Sequence, residues 1–494
     1  SVDGLNQLFR VKKNEKNRSA IEITEEITKT RLGESVLVKV PVREYVEMIW
    51  NGLDIDPSKK DAEQIKSFFD RVKEYGDYYE RDERYPINEG LKCKHCEYKN
   101  TVETAAKGLK SGYEECWKQK FGEDYDFDEP HIFELWDFRH SQKALDRGIH
   151  FLKDLIYEDL FTKEPSLPEK GMSRTDRQWM QVEKRIGRDM EEEHINPELY
   201  DEMDSWTFPL HFIDFETSTV AIPFTVGRRP YEQTAFQFSC HSLHEDGRME
   251  HFEWISGEPG VFPNYNFTLS LKEVLEKDEG TIFRYSNHEN SVMRQIYRQI
   301  ENDGEIEAFG NQGLKKEEVL DWIDSITNWK EEDLEGKEIK VRGKRDMVDL
   351  WKCVKRFYYH PLMKGSNSIK QVLPTVMNVS DFLRKKYSKP LDFGLNLNGR
   401  ILWEDNGAGI AKDPFKLLEP IHDDFEPDEL YLERGAIQDG GAAMVAYAKM
   451  QFTKMSETER QNIIKALLRY CEMDTLAMVM IYEHWLSCRK NNNY

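Results

Sequence analysis

The chain has 494 residues, 39% hydrophobic and 33% charged, enough for two or three domains with full cores. No apolar run approaches the roughly twenty residues that span a bilayer, and no signal-peptide pattern opens the chain, so no membrane partner is expected and a cytoplasmic location is. Seven cysteines then suggest reduced thiols or metal ligands rather than a disulfide framework. The net charge of −22 argues at first against nucleic acid, yet residues 352–400 carry ten basic residues against Asp381 and Asp392. A local excess of that size reads as a funnel for a phosphate backbone, with Arg384, Lys385 and Lys386 at its densest point.

In chain order, Glu22–Thr28 is helical in flavour and Ser35–Val42 strand-like. Gly4–Phe9 does not look like a natural N-terminus, and a segment upstream of it is expected. Val46, Ile49 and Trp50, then Ile65, Phe68, Phe69 and Val72, follow helical periodicity. Cys93 and Cys96 form a C-x-x-C turn, and Cys116 follows twenty residues on. Three thiolates can close three corners of a tetrahedron, with His95, His131 or His140, or a cysteine of the expected upstream segment, as fourth ligand. Spacing alone leaves zinc and an iron–sulfur cluster both open. Phe127–Leu160 reads as helices to which Trp136 and Phe138 contribute core. Thr162–Asp204, with Pro165, Pro168 and a polar helix through Glu191-Glu192-Glu193, reads as a charged connector.

Phe208–Thr217 is an apolar run ending in Asp214 and Glu216. In a strand these two share a face while Ile213 and Phe215 point to the other. Paired acids on one face call for a cation, and Mg²⁺ or Mn²⁺ suits carboxylate oxygens. Thr234–His241 and Glu250–Ile255 alternate as strands about a Glu245-Asp246-Gly247 turn. Leu269–Lys277 is a helix, Thr281–Tyr285 a short strand, and a helix follows to Ile300. Ser366, Ser368 and Lys370 offer donors to phosphate oxygens, and Asp439-Gly440-Gly441 turns into a helix over Ala442–Phe452. Ser456 with Glu459 is a capping box. Behind it Ile463, Leu467, Tyr470, Asp474, Met478 and Ile481 form one helical stripe, apolar except at Asp474. A carboxylate there needs a partner or a metal, and Tyr470, one turn earlier, can reach the same spot. Asn491–Asn493 reads as a frayed tail. A Walker-type loop and a Ser/His/Asp nucleophile pattern are both absent from the sequence.

Asp214, Glu216, Tyr470 and Asp474 resemble the first and last motifs of the DEDD exonuclease superfamily in its Tyr-x-x-x-Asp branch (DEDDy). Over residues 205–487 the chain resembles bacterial domain-of-unknown-function family 2779, through Pro230–Gln233, Phe236–Ser239, Gly365–Lys370, Asp439–Gly441 and Tyr470–Met478. The resemblance implies an α/β chain: an RNase H-like domain at 205–490, its mixed sheet flanked by helices, behind a mainly helical cysteine module at 1–160 and the connector at 161–204. It implies a 3′→5′ exonuclease of DNA or RNA that uses two Mg²⁺ or Mn²⁺ ions, with single strands as the expected partner. The third carboxylate falls on Glu289, where the superfamily usually has Asp, with Asp349 as the alternative; Asn287 and His288 are candidate substrate contacts. Lys370 lies where relatives position the strand. The cysteine module resembles the tail of iron–sulfur PD-(D/E)XK nucleases, which implies a 4Fe–4S cluster in place of zinc and an upstream nuclease domain or partner protein. The rival functions are a nucleic-acid scaffold with a degenerate site and an endonuclease on the same carboxylates.

Overall fold

A computed structural model describes residues 9–13, 19–23, 38–53, 66–86, 90–162, 170–187, 193–332, 337–418, 437 and 440–491. The chain divides into two compact units, Ser35–Thr162 and the remainder.

In the Ser35–Thr162 unit, helices Arg43–Asn51 and Phe68–Glu80 form where the periodicity predicts, and Trp50 stacks on Phe68 at 5.4 Å. Val38–Val42 is not a strand, and Ile65 lies outside the described residues. Cys93 sits in a 3-10 turn, Leu91–His95, and Cys116 on helix Gly112–Phe121. Trp117 on that helix is fully buried and anchors an aromatic cluster with Tyr113, Phe121, Tyr125 and His131. Phe127–Leu160 is not the run of helices expected. It holds one short helix, Ser141–Asp146, and three 3-10 turns. Its ends pair instead: Ile132 N donates to His150 O and Leu152 N to Pro130 O, each at 2.8 Å. Gly148, at φ 78°, turns the chain between them. Phe138 is buried there and Trp136 half-buried.

The second unit is built on a mixed five-stranded sheet. Its strands are β1 (Leu210–Ser218), β2 (Thr234–Leu243), β3 (Met249–Ile255), β4 (Ile282–Arg284) and β5 (Val348–Asp349), in spatial order β5-β4-β1-β2-β3. β1, β2 and β3 form an antiparallel meander, and β4 and β5 lie parallel to β1. The alternation read from β1 holds. Leu210 and Phe212 enter one core, and Ile213 and Phe215 the other. The second core is closed by α1 (Asn264–Leu275), α2 (His288–Asn302) and α3 (Lys316–Ile326).

The first core takes α4 (Leu350–Phe357), α5 (Ile369–Val379), α6 (Asp381–Tyr387), α7 (Gly440–Phe452) and α8 (Glu457–Asn491). Ser456 Oγ accepts from Glu459 N at 3.1 Å and starts α8. From Tyr470 to Trp485 every residue of α8 is buried, so its three acids there, Glu472, Asp474 and Glu483, must be solvated by the protein. Asn491 is its last residue; Asn492 and Asn493 lie outside the described residues.

Two expectations for this unit change. Glu22 and Ile23 lie in a strand, Ser19–Ile23, paired with Phe9–Lys13; residues 24–28 of the expected helix fall outside the described residues. In the segment read as a connector, the described residues 170–187 and 193–204 are packed structure. Helix Arg174–Ile186 buries Arg177, which donates to Tyr358 O at 2.5 Å and to Val354 O at 3.3 Å and bonds Asn367. Those partners lie about 180 positions away, which is why local composition reads as solvated charge. Glu193 is bound too, accepting from Tyr358 Oη at 2.7 Å beside His484. Glu191, Glu192, Pro165 and Pro168 lie outside the described residues.

Candidate metal centre

Asp214 and Glu216 leave β1 on the face that meets α8, and α8 returns Asp474 to them. One carboxylate oxygen of each lies within 4.8 Å of the others. They line a cavity of about 420 Å³ with Thr217, His288, Tyr470 and the Gly440-Gly441 start of α7. A Cβ on Gly440 would stand 3.8 Å from Glu216 Oε2, so α7 begins directly against that carboxylate. Asp439 lies outside the described residues. Cys471 Sγ donates to Asp214 Oδ2 across 3.4 Å.

Glu289, in the first turn of α2, is 2% exposed, and its Oε2 has no hydrogen-bond partner. Burial, and then the Glu289 charge, raise the Asp214 pKa. Burial, and then Asp214, hold Asp474 well above the usual carboxylate range. Burial also raises Glu289, with Asp349 and Asp474 adding to it. Three acids, Asp214, Glu289 and Asp474, driven toward neutrality by burial and by one another describe a group short of positive charge. An all-oxygen donor set of this kind fits a hard divalent cation, Mg²⁺ or Mn²⁺.

Lys370, in the first turn of α5, supplies the nearby positive charge. Its Nζ donates to Tyr470 Oη at 2.9 Å and lowers the pKa of both Asp214 and Asp474. The Tyr470 hydroxyl bonds Asp474, and burial keeps the phenol protonated. His288 Nε2 lies 3.2 Å from Thr217 Oγ1. Asn287 turns away, its Nδ2 donating to Ser291 Oγ at 2.8 Å.

Asp349 is occupied elsewhere. It accepts from Ser286 N at 3.1 Å and from Lys352 N at 3.4 Å, and pairs with Arg284 Nη1 at 3.2 Å and Lys352 Nζ at 3.3 Å. It is the N-cap of α4 and the counter-ion of a buried arginine, whereas Glu289 has no such commitments.

Several cations of the basic stretch already have partners. Lys352 serves Asp349, and Lys386 is held at 2.5 Å by the buried Glu483. Arg384 lies over the Trp403 ring at 4.5 Å, while Lys385 is exposed. Only Lys370 of the four expected nucleic-acid contacts stands at the carboxylate group. Linear charge density does not report which cations are already paired.

In the other unit, Cys93, Cys96 and Cys116 line one cavity of about 830 Å³ together with His95. Burial, and then the other two cysteines, raise the Cys116 pKa. Their sulfurs are not among the described groups whose ligand atoms all lie within 4.8 Å of one another. His131 Nδ1 accepts from Phe133 N at 3.1 Å, and His140 precedes helix Ser141–Asp146. All seven cysteines are free thiols.

Cys471 against Asp214 was not read from the sequence. Nor was the grouping of His241 and His251 with Glu472, although the hairpin turn sets the two histidines opposite one another. Residues 211–368 match the model of a family described as Domain of unknown function (DUF2779). The match holds Asp214, Glu216, Glu289 and Asp349 and ends before Lys370, Tyr470 and Asp474, so it is narrower than the resemblance over 205–487. No curated protein and no solved structure matches the chain.

Proposed function

We propose that the C-terminal unit is a divalent-metal-dependent nuclease of the DEDDy type, on an RNase H-like fold, removing nucleotides from the 3′ end of single strands. One observation carries the reading: Asp214, Glu216 and Asp474, from a central strand and a distant helix, converge in a cavity beside Glu289, whose Oε2 has no partner, and a Tyr470–Lys370 pair. The strand order supports it, an antiparallel meander followed by two strands parallel to the first.

Asp214, Glu216, Glu289 and Asp474 would hold the ions. When bound, such ions supply Lewis-acid stabilisation of phosphate charge and lower the pKa of nearby water. The protein's own groups do the positioning. Tyr470, kept neutral, directs a hydroxyl beside Asp474 from which attacking water can be oriented. Lys370 places an ammonium next to the carboxylates, where it can meet a phosphate oxygen. His288 and Thr217 shape the wall on the side of β1. The walls are packed helices, so a frayed terminus enters more readily than an internal duplex bond.

End-labelled single-stranded DNA and RNA, with Mg²⁺, Mn²⁺ or Ca²⁺, test this directly. A ladder of one-nucleotide steps from the 3′ end, requiring Mg²⁺ or Mn²⁺ and lost in Asp214→Asn, is expected. Internal fragments from a circular strand would replace the exonuclease with an endonuclease on the same carboxylates. Binding without cleavage would leave a scaffold.

A further inference from the structure

A second group of metal-ligating side chains lies on the same sheet face but belongs to none of the chemistry above. His241 on β2 and His251 on β3 are direct partners in the strand register, so both rings rise from one face, with centroids 4.6 Å apart. Glu472 comes down on them from α8. Two positions before Asp474, it sits on the opposite side of that helix from the carboxylate cavity. One ligand atom from each of the three lies within 4.8 Å of the others. His241 is fully buried, and the side chains of His251 and Glu472 are 1% and 0% exposed.

The hydrogen bonds around this group fix which atoms face inward. Thr475 Oγ1 lies 3.0 Å from the carbonyl of Glu472 and, within its helix, gives its proton there. With its proton placed there, it accepts from its other two neighbours, Ser239 Oγ at 2.8 Å and His241 Nδ1 at 2.8 Å. Ser239, having donated, accepts from His251 Nε2 at 2.8 Å. That arrangement puts the His241 proton on Nδ1 and the His251 proton on Nε2. The remaining nitrogens, His241 Nε2 and His251 Nδ1, are bare, buried and without hydrogen-bond partners. Burial favours the neutral form of both rings.

The carboxylate completes an all-acceptor cluster. Asn396 donates to Glu472 Oε2 from its backbone N at 2.7 Å and its Nδ2 at 2.8 Å, while Oε1 has no partner. His251 Nδ1 stands 3.6 Å from Glu472 Oε2, too far for a hydrogen bond. Gly394, at φ 88°, lets the backbone pass against Oε1 where a Cβ would collide. Two imidazole lone pairs and a carboxylate oxygen thus converge with no donor among them. Outer hydrogen bonds that fix the tautomer of each imidazole are the usual support of metal-ligating histidines.

We propose that His241, His251 and Glu472 bind a first-row divalent transition metal, zinc above all, as a structural site that ties the β2–β3 hairpin to α8. Imidazole donors select zinc-like ions over Mg²⁺, so this site and the oxygen-only group at Asp214 take different metals. Closed in by α8 and the Phe393–Leu397 loop, it leaves no room for substrate. Its work is to hold in register the helix that presents Tyr470 and Asp474.

The test uses the full chain, stripped of metal and then titrated with Zn²⁺ or Co²⁺ in excess Mg²⁺. His241→Asn keeps a donor toward Thr475, and His251→Gln keeps one toward Ser239; each removes the inward nitrogen alone. Wild-type protein should bind one more equivalent than either variant and gain a melting-temperature increase on Zn²⁺ that both variants lose. Its Co²⁺ form should show visible bands that the variants lack and that Asp214→Asn retains. Equal stoichiometry and spectra in wild type and variants would overturn the site. Should the variants not fold, X-ray absorption of the zinc-loaded wild type decides. Imidazole scattering from two ligands supports the site, and a shell of sulfur or oxygen alone refutes it. None of these outcomes depends on nuclease activity.

Discussion

Lys370 Nζ donates to the Tyr470 phenol oxygen across 2.9 Å, joining two residues one hundred positions apart. The bond puts an ammonium beside two carboxylates that burial has made hard to ionise. Phe415 packs beside the Tyr470 ring at 6.0 Å, so the ring's place does not depend on its hydroxyl. Tyr470→Phe should therefore fold normally and lower kcat, while Lys370→Met lowers both kcat and the affinity for single strands. Losses of about 10–100-fold are expected where a supporting group is removed. Steady-state cleavage of a labelled oligonucleotide, alongside thermal melts, separates the two effects.

Asp214→Asn and Asp474→Asn should pull stability and activity apart. Each replaces a buried carboxyl, whose ionisation facing other acids is costly, with a neutral amide, so the metal-free variant is expected to be more stable by on the order of 1 kcal/mol. Each also removes a metal ligand, and cleavage should fall by about 10²-fold or more. Denaturant melts in chelator, run beside activity assays, check both. Variants that melt lower than wild type in chelator would mean the carboxylates stabilise one another through shared protons.

The pH dependence of the metal-free protein follows from the same acids. Asp214, Glu289 and Asp474 have folded-state pKa values raised above their unfolded ones. The folded state then keeps protons that the unfolded chain releases above about pH 4. Their contribution is fully present below that point and is lost as pH rises through the folded values. The melting temperature in chelator should thus fall from mildly acidic toward alkaline pH. Added Mg²⁺ should restore more of it at the alkaline end. A profile rising with pH in chelator would contradict the shifts.

Glu289 and Asp349 should separate cleanly. Asp349→Asn leaves the buried Arg284 short of its counter-ion and weakens the cap of α4, a loss of about 3–5 kcal/mol of the kind seen when one partner of a buried pair is removed. Glu289→Gln removes no such partner and should keep stability while losing cleavage. Melts and activity of the two variants, measured together, assign the third carboxylate. Full activity in Glu289→Gln would strike it from the site.

What the sequence alone determined is local and periodic. A two-residue alternation was enough to put Asp214 and Glu216 on one face of β1. A three-to-four-residue stripe was enough to turn Tyr470 and Asp474 inward on α8, and a capping box to begin that helix. The hairpin of β2 and β3 was legible from its turn. Such features depend on neighbours within a few positions, whose geometry the backbone fixes. Tertiary structure alone decided which charges are free. It buried Arg177 against carbonyls, gave Asp349 to Arg284 and Lys386 to Glu483, and brought Lys370 to Tyr470. It also closed His241, His251 and Glu472 over one point. Those pairings span tens to hundreds of positions, and a side chain's charge is neutralised by whatever the fold places beside it, which no local pattern records.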